Sequence, residues 1–209
     1  AEKEVFSFKE ARDFLKRIDE IPDEFIYKRT VLKFMLLTGV RTAEMCGLKW
    51  SDIDFTDKVV HIKQNRLYSQ EIGIYEKETK TKTSERDIPL TDALINDLIA
   101  YMEWFRISDD HFDERLEDFY IAVNLYRMPV FPNTIGCWLK AYEKKWHMKL
   151  VSCHGLRHTY CSLLLSQNVP IQTVSKYMGH SDSTVTLKVY SHFIPDTQDK
   201  AINALNNLI

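Results

Sequence analysis

β-Strand patterning in this sequence is confined to one region, between residues 58 and 89. Three short segments there carry β-branched residues with partial alternation of polar and apolar positions: Lys58–Lys63, Ile72–Thr79 and Arg86–Pro89. Polar linkers separate them, which predicts a small antiparallel meander. The rest of the chain is predicted to be helical, so the expected fold class is mainly α with a small antiparallel β-meander (α+β).

Helical patterns lie on both sides of this region. Ser7 can cap a helix that reaches Ile18, with Glu10 three residues later as in a capping box. A second helix is predicted from about Asp23 to Thr38, and Gly39 is suited to the left-handed position that ends it. The later predicted helices are Asp92–Phe105, Thr134–Met148, Cys153–Gln167, Pro170–Met178, Asp182–His192 and Thr197–Ile209. The acidic, aromatic stretch from Ile107 to Pro132 is poorly periodic, which suggests a variable insertion or a partly ordered loop.

Size and composition predict a globular, intracellular protein. With 209 residues, of which 44% are hydrophobic, the chain can form one sizeable domain or at most two small ones. No apolar run reaches the roughly eighteen residues of a membrane span, and the N-terminus AEKEVFSFKE has no signal-peptide pattern.

Charge and cysteine usage give little direct indication of function. The formal net charge of −2 provides no global attraction to DNA, although two short segments are rich in lysine. These lysine runs fit either a local basic face or ordinary solvated surface. The four cysteines show no CxxC pair or zinc-finger spacing, so they are predicted to be buried, reduced thiols without a metal.

Two pairs of residues have the spacing of an anion site. Arg41 follows the helix-ending Gly39, and Glu44 lies three residues on, where it can hold the guanidinium. In HGLRHTY, His154 and Arg157 are three apart on a predicted helix and can converge on one phosphate. Judged alone, the first pair also fits an ordinary surface ion pair, and the second fits surface residues or a satisfied pair.

A third group occurs in MGHSDSTVTLKVYSHF. Gly179 ends one helix, His180 lies in the turn, and Tyr190 lies about two turns into the next helix. A tyrosine in this position more often packs than reacts. No single motif therefore decides the function.

Taken in order, these residues resemble the catalytic domain of the tyrosine recombinase (phage integrase) family. The matching phrases are TGVRTAEMCGLKWSDID, TKTKTSERDIPL, HGLRHTYCSLLL and GHSDSTVTLKVYSH, which together span nearly the whole chain. The resemblance implies as catalytic residues Arg41, Lys80, His154, Arg157, His180 and Tyr190, with Glu44 in support and with Lys82 and Arg86 as DNA contacts. Because Lys80 and Lys82 share one turn, their two roles could be exchanged.

The resemblance also implies a mechanism. Tyr190 is expected to form a 3′-phosphotyrosine and release a 5′-hydroxyl, without a metal or another cofactor. Arg41 and Arg157 would stabilise charge on the phosphate, while His154 and His180 would donate hydrogen bonds and handle the nucleophile's proton. Lys80 would protonate the leaving oxygen. Arg157 is expected to serve the reaction rather than the core.

Further expectations concern partners and domain organisation. Residues 1–209 are predicted to be a single catalytic domain, without the N-terminal core-binding and arm-binding domains that family members carry. Double-stranded DNA is the expected partner, bound by a tetramer, and the resemblance allows an accessory directionality factor. Such a protein would be cytoplasmic and nucleoid-associated, in a bacterial or phage-infected cell, and would serve a mobile genetic element. The C-terminal segment could pack on its own domain or on a neighbouring subunit.

Three other functions remain as alternatives. A type IB topoisomerase would have a similar site but would reseal the same strand. A non-catalytic DNA-binding module would keep the fold, but the complete set of six residues argues against it. A metal-dependent nuclease would require clustered carboxylates, which the sequence lacks.

Overall fold

The computed structural model describes residues 5–69, 71, 73–78, 85–107, 111–180 and 182–190. The helices in these ranges are α1 Phe8–Asp19, α2 Ile26–Thr38, α3 Thr42–Gly47, α4 Asp92–Arg106, α5 Pro132–Lys145, α6 Cys153–Ser166, α7 Ile171–Met178 and α8 Ser183–Tyr190. The strands are β1 Ile53–Asp54, β2 Val59–Ile62, β3 Gln64–Ser69, β4 Gly73–Glu78 and β5 Arg86–Pro89. The mainly helical fold class with a small antiparallel sheet is confirmed, and the helix predicted at Thr197–Ile209 lies outside the described residues.

Helix α2 is the central helix of the domain. It is apolar on nearly all sides, as expected for a helix surrounded by others, and it packs against α1, α4, α5 and α6. Its one buried charge, Lys33, is compensated, because the ammonium contacts Asp19 and Asp97 at 2.7 Å each. A single short 3₁₀ turn, Asp23–Phe25, precedes the helix, so the predicted element beginning at Asp23 is a 3₁₀ turn followed by an α-helix.

Gly39 fixes the geometry at the end of α2. Its φ is +64°, a left-handed conformation that L side chains rarely adopt, and a Cβ there would lie 2.4 Å from Cδ1 of Tyr160 on α6. The glycine therefore permits both the turn into Arg41 and the close packing of α2 on α6.

We expect Gly39→Ala to lower the free energy of unfolding by about 2 kcal/mol or more, since the left-handed conformation alone costs a residue with a Cβ roughly 1–2 kcal/mol. Urea unfolding would measure it. Gly136→Ala is the matched control, because a Cβ at this position in α5 would meet only Cys153 Sγ, at 3.9 Å. That variant should be neutral or gain about 0.5–1 kcal/mol from helix propensity, and equal losses in both variants would contradict the assignment.

The strands pair differently from the predicted meander. β2 is central in an antiparallel sheet of order β1-β2-β5, whereas β3 and β4 form a separate hairpin. The difference arises because β3 leaves the sheet to pack on α3, where Gln64 Nε2 donates to the Gly47 carbonyl at 2.8 Å. Both β1 and β3 were missed, since β1 has two residues and the sequence QNRLYS of β3 alternates weakly.

The acidic stretch after α4 is an ordered part of the core where the structure describes it. Phe112 and Phe119 pack against Phe105 at centroid distances of 5.0 and 6.0 Å, and Trp50 contacts Phe112 at 5.8 Å. Bridges at Lys49–Tyr120 and Val123–Pro129 fix the backbone. Aromatic packing thus orders a segment that has no helical or strand periodicity.

Helices α6, α7 and α8 form a second, smaller apolar cluster. Its buried members include Cys161, Leu165, Val174, Met178 and Tyr190.

The cysteines differ in exposure. Cys46 and Cys161 are buried, whereas Cys137 is exposed, contrary to the prediction that all four cysteines are buried. No helix in the described ranges is long and apolar enough to cross a membrane.

Candidate active site

Glu44 lies at the centre of an ionic cluster between α3 and β5. Its Oε2 accepts a hydrogen bond from the Arg41 backbone N–H at 2.7 Å, and its Oε1 accepts one from Arg41 Nη1 at 2.8 Å. From β5, Arg86 donates to the same two oxygens through Nη1 and Nη2, at 2.9 and 2.8 Å. One buried carboxylate therefore fixes two guanidinium groups.

The charge on Glu44 is stabilised by these arginines. Burial alone would raise the pKa of the carboxyl, but the hydrogen bonds and charges of Arg86 and Arg41 outweigh it and lower the pKa to about 2. Glu44 is therefore ionised at neutral pH. Arg41 keeps 40% of its side chain exposed while its orientation is fixed, which suits a group that contacts an anion at the surface.

Arg86 has a different position from the one predicted. Its side chain is 2% exposed, and Nε donates to the Tyr177 carbonyl of α7 at 2.7 Å. Gly179 allows this approach, because a Cβ there would lie 3.1 Å from Arg86 Nη1. The predicted DNA contact at Arg86 is therefore corrected: the guanidinium joins β5 to α3 and α7 from inside the protein.

Arg157 is held between the C-terminal ends of two helices. Nη1 donates to the carbonyl of Gly39 at 2.7 Å, and Nη2 donates to the carbonyl of Met178, the last residue of α7. Helix C-termini carry partial negative charge, so they favour a cation between them. Burial, followed by repulsion from Arg41, lowers the pKa of Arg157 to about 10, and the group stays charged at pH 7.

This placement corrects one expectation about Arg157. The residue is 2% exposed and joins α6 to the ends of α2 and α7, so it contributes to the fold as well as to the charge of the site. Sequence spacing placed His154 and Arg157 on one face of α6, but in the structure His154 is exposed and Arg157 is buried. His154 therefore lies at the protein surface, whereas Arg157 lies beneath it.

His180 is attached to the helix that carries Tyr190. Its Nδ1 lies 2.8 Å from Oγ1 of Thr186, and Ser175 Oγ contacts the same hydroxyl at 2.6 Å. Burial, with added repulsion from Arg157, Arg41 and other nearby cations, lowers the pKa of His180 to about 4. The ring is neutral at pH 7 and can donate one hydrogen bond from a ring nitrogen.

Tyr190 lies beneath the surface against α6. The residue is 3% exposed, and its hydroxyl forms a hydrogen bond with Nδ1 of His158. Burial and the neighbouring thiol of Cys161 raise the pKa of the phenol, whereas the charge of Arg157 lowers it. His158 in turn contacts the ring of His154, with centroids 4.2 Å apart and planes at 84°.

His158 was not assigned a role from the sequence. The signal was present in HGLRH, since residues four apart lie on the same face of a helix, which places His158 one turn from His154. Only the contact with Tyr190, 32 residues away in the chain, distinguishes it from a packed core histidine.

Two open clefts adjoin these residues. One, of about 350 Å³, is lined by Arg86, Ser175, Lys176 and His180 among others. The other, of about 520 Å³, lies beside His154 and includes Thr42, Asn133, Lys140 and Ser152. Both clefts are open to solvent, and each is lined by one lysine, Lys176 in the first and Lys140 in the second.

The structure thus brings Arg41, Glu44, Arg157, His180 and Tyr190 into one electrostatic environment, with His154 beside it. Lys80 and Lys82 lie outside the described residues. Within the ranges that are described, there is no group of three or more His, Cys, Asp or Glu side chains that could hold a metal ion.

Comparison with known proteins assigns the chain to a family. The phage integrase family profile matches residues 4–195, so the chain belongs to the phage integrase family. A tyrosine recombinase XerC-like protein of Caldanaerobacter subterraneus subsp. tengcongensis is 32% identical over 193 residues, which cover 82% of this chain and 47% of that protein. The transposase from transposon Tn916 of Enterococcus faecalis is 27% identical over 218 residues, which cover 98% of this chain and 49% of that protein.

Solved structures show the same fold. The integrase of transposon Tn1549, in complex with a circular intermediate DNA, superposes with a TM-score of 0.77 at 22% identity, covering 99% of this chain and 66% of that one. The crystal structure of XerA recombinase gives a TM-score of 0.70 at 20% identity, covering 97% and 63%. The chain spans about half the length of the curated relatives it matches.

Proposed function

We propose that this chain is the catalytic part of a site-specific DNA recombinase of the integrase type, which cuts and rejoins DNA through a 3′-phosphotyrosine at Tyr190. The observation that carries the proposal is the position of Tyr190 near the charge of Arg157, which also acts on His180 and lies near Arg41, in a chain of the phage integrase family. The positive charge of Arg157 opposes the effect of burial and favours the phenolate that must attack an anionic phosphodiester.

The arginines account for catalysis without a metal ion in this proposal. As Tyr190 attacks, negative charge grows on the two non-bridging oxygens of the phosphate. The partly exposed guanidinium of Arg41 can donate hydrogen bonds to those oxygens. Arg157, which is buried, adds a fixed positive charge. His180, neutral and oriented by Thr186, can donate one hydrogen bond to the same phosphate.

The leaving 5′-oxygen is strongly basic and requires a general acid. We assign this role to Lys80, the first lysine of TKTKTSERDIPL, and a DNA-phosphate contact to Lys82. The last residues of this segment, which the structure describes, support a position of the two lysines near the site. They form β5, which begins at Arg86, and Arg86 belongs to the ionic cluster around Glu44.

We expect Lys80→Ala to slow strand cleavage by about 10²–10⁴-fold, the usual contribution of a general acid. A substrate with a 5′-bridging phosphorothiolate should restore the rate, because a thiolate leaves without a proton. Lys82→Ala is the control: it should weaken DNA binding modestly, with no selective gain from the sulfur substrate. Rescue of Lys82→Ala alone would exchange the two assignments.

The proposal extends to partners and location. Double-stranded DNA is the substrate, and exchange between two duplexes requires four strand cleavages, hence four copies of Tyr190 in a tetramer. A directionality factor would bias integration or excision. A protein that acts on a bacterial or phage genome would work in the cytoplasm, associated with the nucleoid. The chain provides one catalytic domain of this assembly.

A strand-transfer experiment separates recombination from topoisomerase activity. The chain would be incubated with two intact duplexes that carry the same site, one of which is labelled at an end. A recombinase should produce strands in which the label is joined to sequence from the unlabelled duplex. Resealing of the original strand alone, together with relaxation of supercoiled plasmid, would contradict the proposed function in favour of a topoisomerase.

A further inference from the structure

His158 is one of the buried titratable groups, among the described residues, to which the proposed mechanism gives no role. It lies on α6, one residue after Arg157, and is 5% exposed. Its Nδ1 is hydrogen-bonded to the hydroxyl oxygen of Tyr190, with ring centroids 5.4 Å apart. The contact joins the atom that attacks phosphate to an imidazole nitrogen, and histidine is the side chain that most often serves as a general base.

The chemistry of the two groups sets the direction of this hydrogen bond in the reactive state. A phenol donates its proton, and a neutral imidazole accepts at the nitrogen that carries no hydrogen. With the hydrogen on Nε2, His158 accepts from Tyr190 at Nδ1. Burial raises the pKa of Tyr190, so the phenol needs an acceptor in direct contact before it can attack.

The two histidines assigned from the sequence are placed differently. Nδ1 of His180 is engaged with Thr186, and His154 is exposed at the start of α6. His154 instead packs edge-on against His158, at 4.2 Å between centroids. An exposed imidazole therefore lies directly against the buried one.

On this geometry we propose that His158 is a catalytic residue of the proposed recombination reaction, the base that takes the proton of Tyr190. As the Tyr190 oxygen forms its bond to phosphorus, its proton moves to His158 Nδ1. The bond from phosphorus to the 5′-oxygen breaks, and that oxygen takes a proton from the general acid. On rejoining, His158 returns its proton to the departing phenolate.

The experiment compares cleavage with a joining reaction that does not need this proton. Cleavage would be measured on a nicked duplex that traps the covalent complex. Joining would use DNA ending in a 3′-(p-nitrophenyl) phosphate, from which a 5′-hydroxyl displaces p-nitrophenolate, a weak base that leaves unprotonated. His158→Asn is the main variant, because the amide oxygen can accept the hydrogen bond from Tyr190 but cannot take its proton.

For His158→Asn we expect cleavage to fall by about 10²-fold or more, while joining of the p-nitrophenyl substrate stays within a few-fold of wild type. The remaining cleavage should keep rising with pH, since hydroxide must now remove the proton. His158→Ala should behave similarly, and its joining activity shows that the site is still folded.

Three results would overturn the assignment. Equal loss of cleavage and joining would mean that His158 supports the site as a whole. Unchanged cleavage would remove it from the reaction, and faster cleavage would mean that it restrains Tyr190. Failure of the wild-type chain in both assays would instead count against the proposed function itself.

Discussion

Arg157→Ala is expected to abolish detectable cleavage and also to destabilise the domain. Removing one fixed group that stabilises a transition-state charge typically costs about 10²–10³-fold in rate. The substitution also leaves the carbonyls of Gly39 and Met178 without their donor in a buried environment, at about 1–3 kcal/mol for each group. Thermal unfolding and covalent-complex formation would measure the two effects.

Two variants separate these contributions. Arg157→Lys keeps a positive charge but cannot fork between two carbonyls, so it should recover part of the stability and little of the cleavage. Arg17→Ala removes an exposed arginine from the last turn of α1 and should change stability by less than about 0.5 kcal/mol. Full cleavage by Arg157→Lys would show that charge alone suffices and that the fixed fork is not required.

Glu44→Ala is expected to lower the free energy of unfolding by about 3–5 kcal/mol, as for other buried ion pairs that lose one partner. Arg86 would remain buried with its charge uncompensated, and Arg41 would lose the group that orients it. Cleavage should therefore fall even at temperatures where the variant is folded. Urea unfolding at pH 7 and trapping on nicked DNA would test both results.

Glu44→Gln is the control for charge, because it keeps the shape of the side chain. The folded pKa of Glu44, about 2, is below its ordinary value of 4.5, so its ionisation stabilises the fold above pH 4.5. A lowering of this size corresponds to roughly 3 kcal/mol. The stability advantage of wild type over Glu44→Gln should shrink as pH falls from 4.5 toward 2. A Glu44→Gln variant as stable as wild type at every pH would show that Glu44 acts by packing.

Local signals were sufficient to predict much of the fold. The Ser7–Glu10 capping box and the Gly39 stop depend on neighbours within a few residues, and both are present in the structure. Strand pairing was not predictable in the same way. Whether β2 pairs with β5 or with β3 depends on contacts between β3 and α3. The alternation of polar and apolar residues along a strand carries no information about these contacts.

The candidate site shows the same division. Spacing alone placed Glu44 next to Arg41, because both lie in one helical turn. The depth of Arg86 and Arg157 could not be predicted, since it depends on carbonyls at Gly39, Tyr177 and Met178 that only the folded chain brings near them. A buried arginine and a DNA-binding arginine look alike in a sequence.

The proposed function depends above all on covalent attachment of Tyr190 to DNA without the help of a metal ion. The most direct test is incubation of the chain with a nicked duplex in EDTA, followed by mass spectrometry of the trapped peptide. The expected result is a phosphotyrosyl adduct on Tyr190, which is lost in Tyr190→Phe and retained in Tyr177→Phe. Cleavage that requires Mg²⁺, or an adduct on another residue, would contradict it.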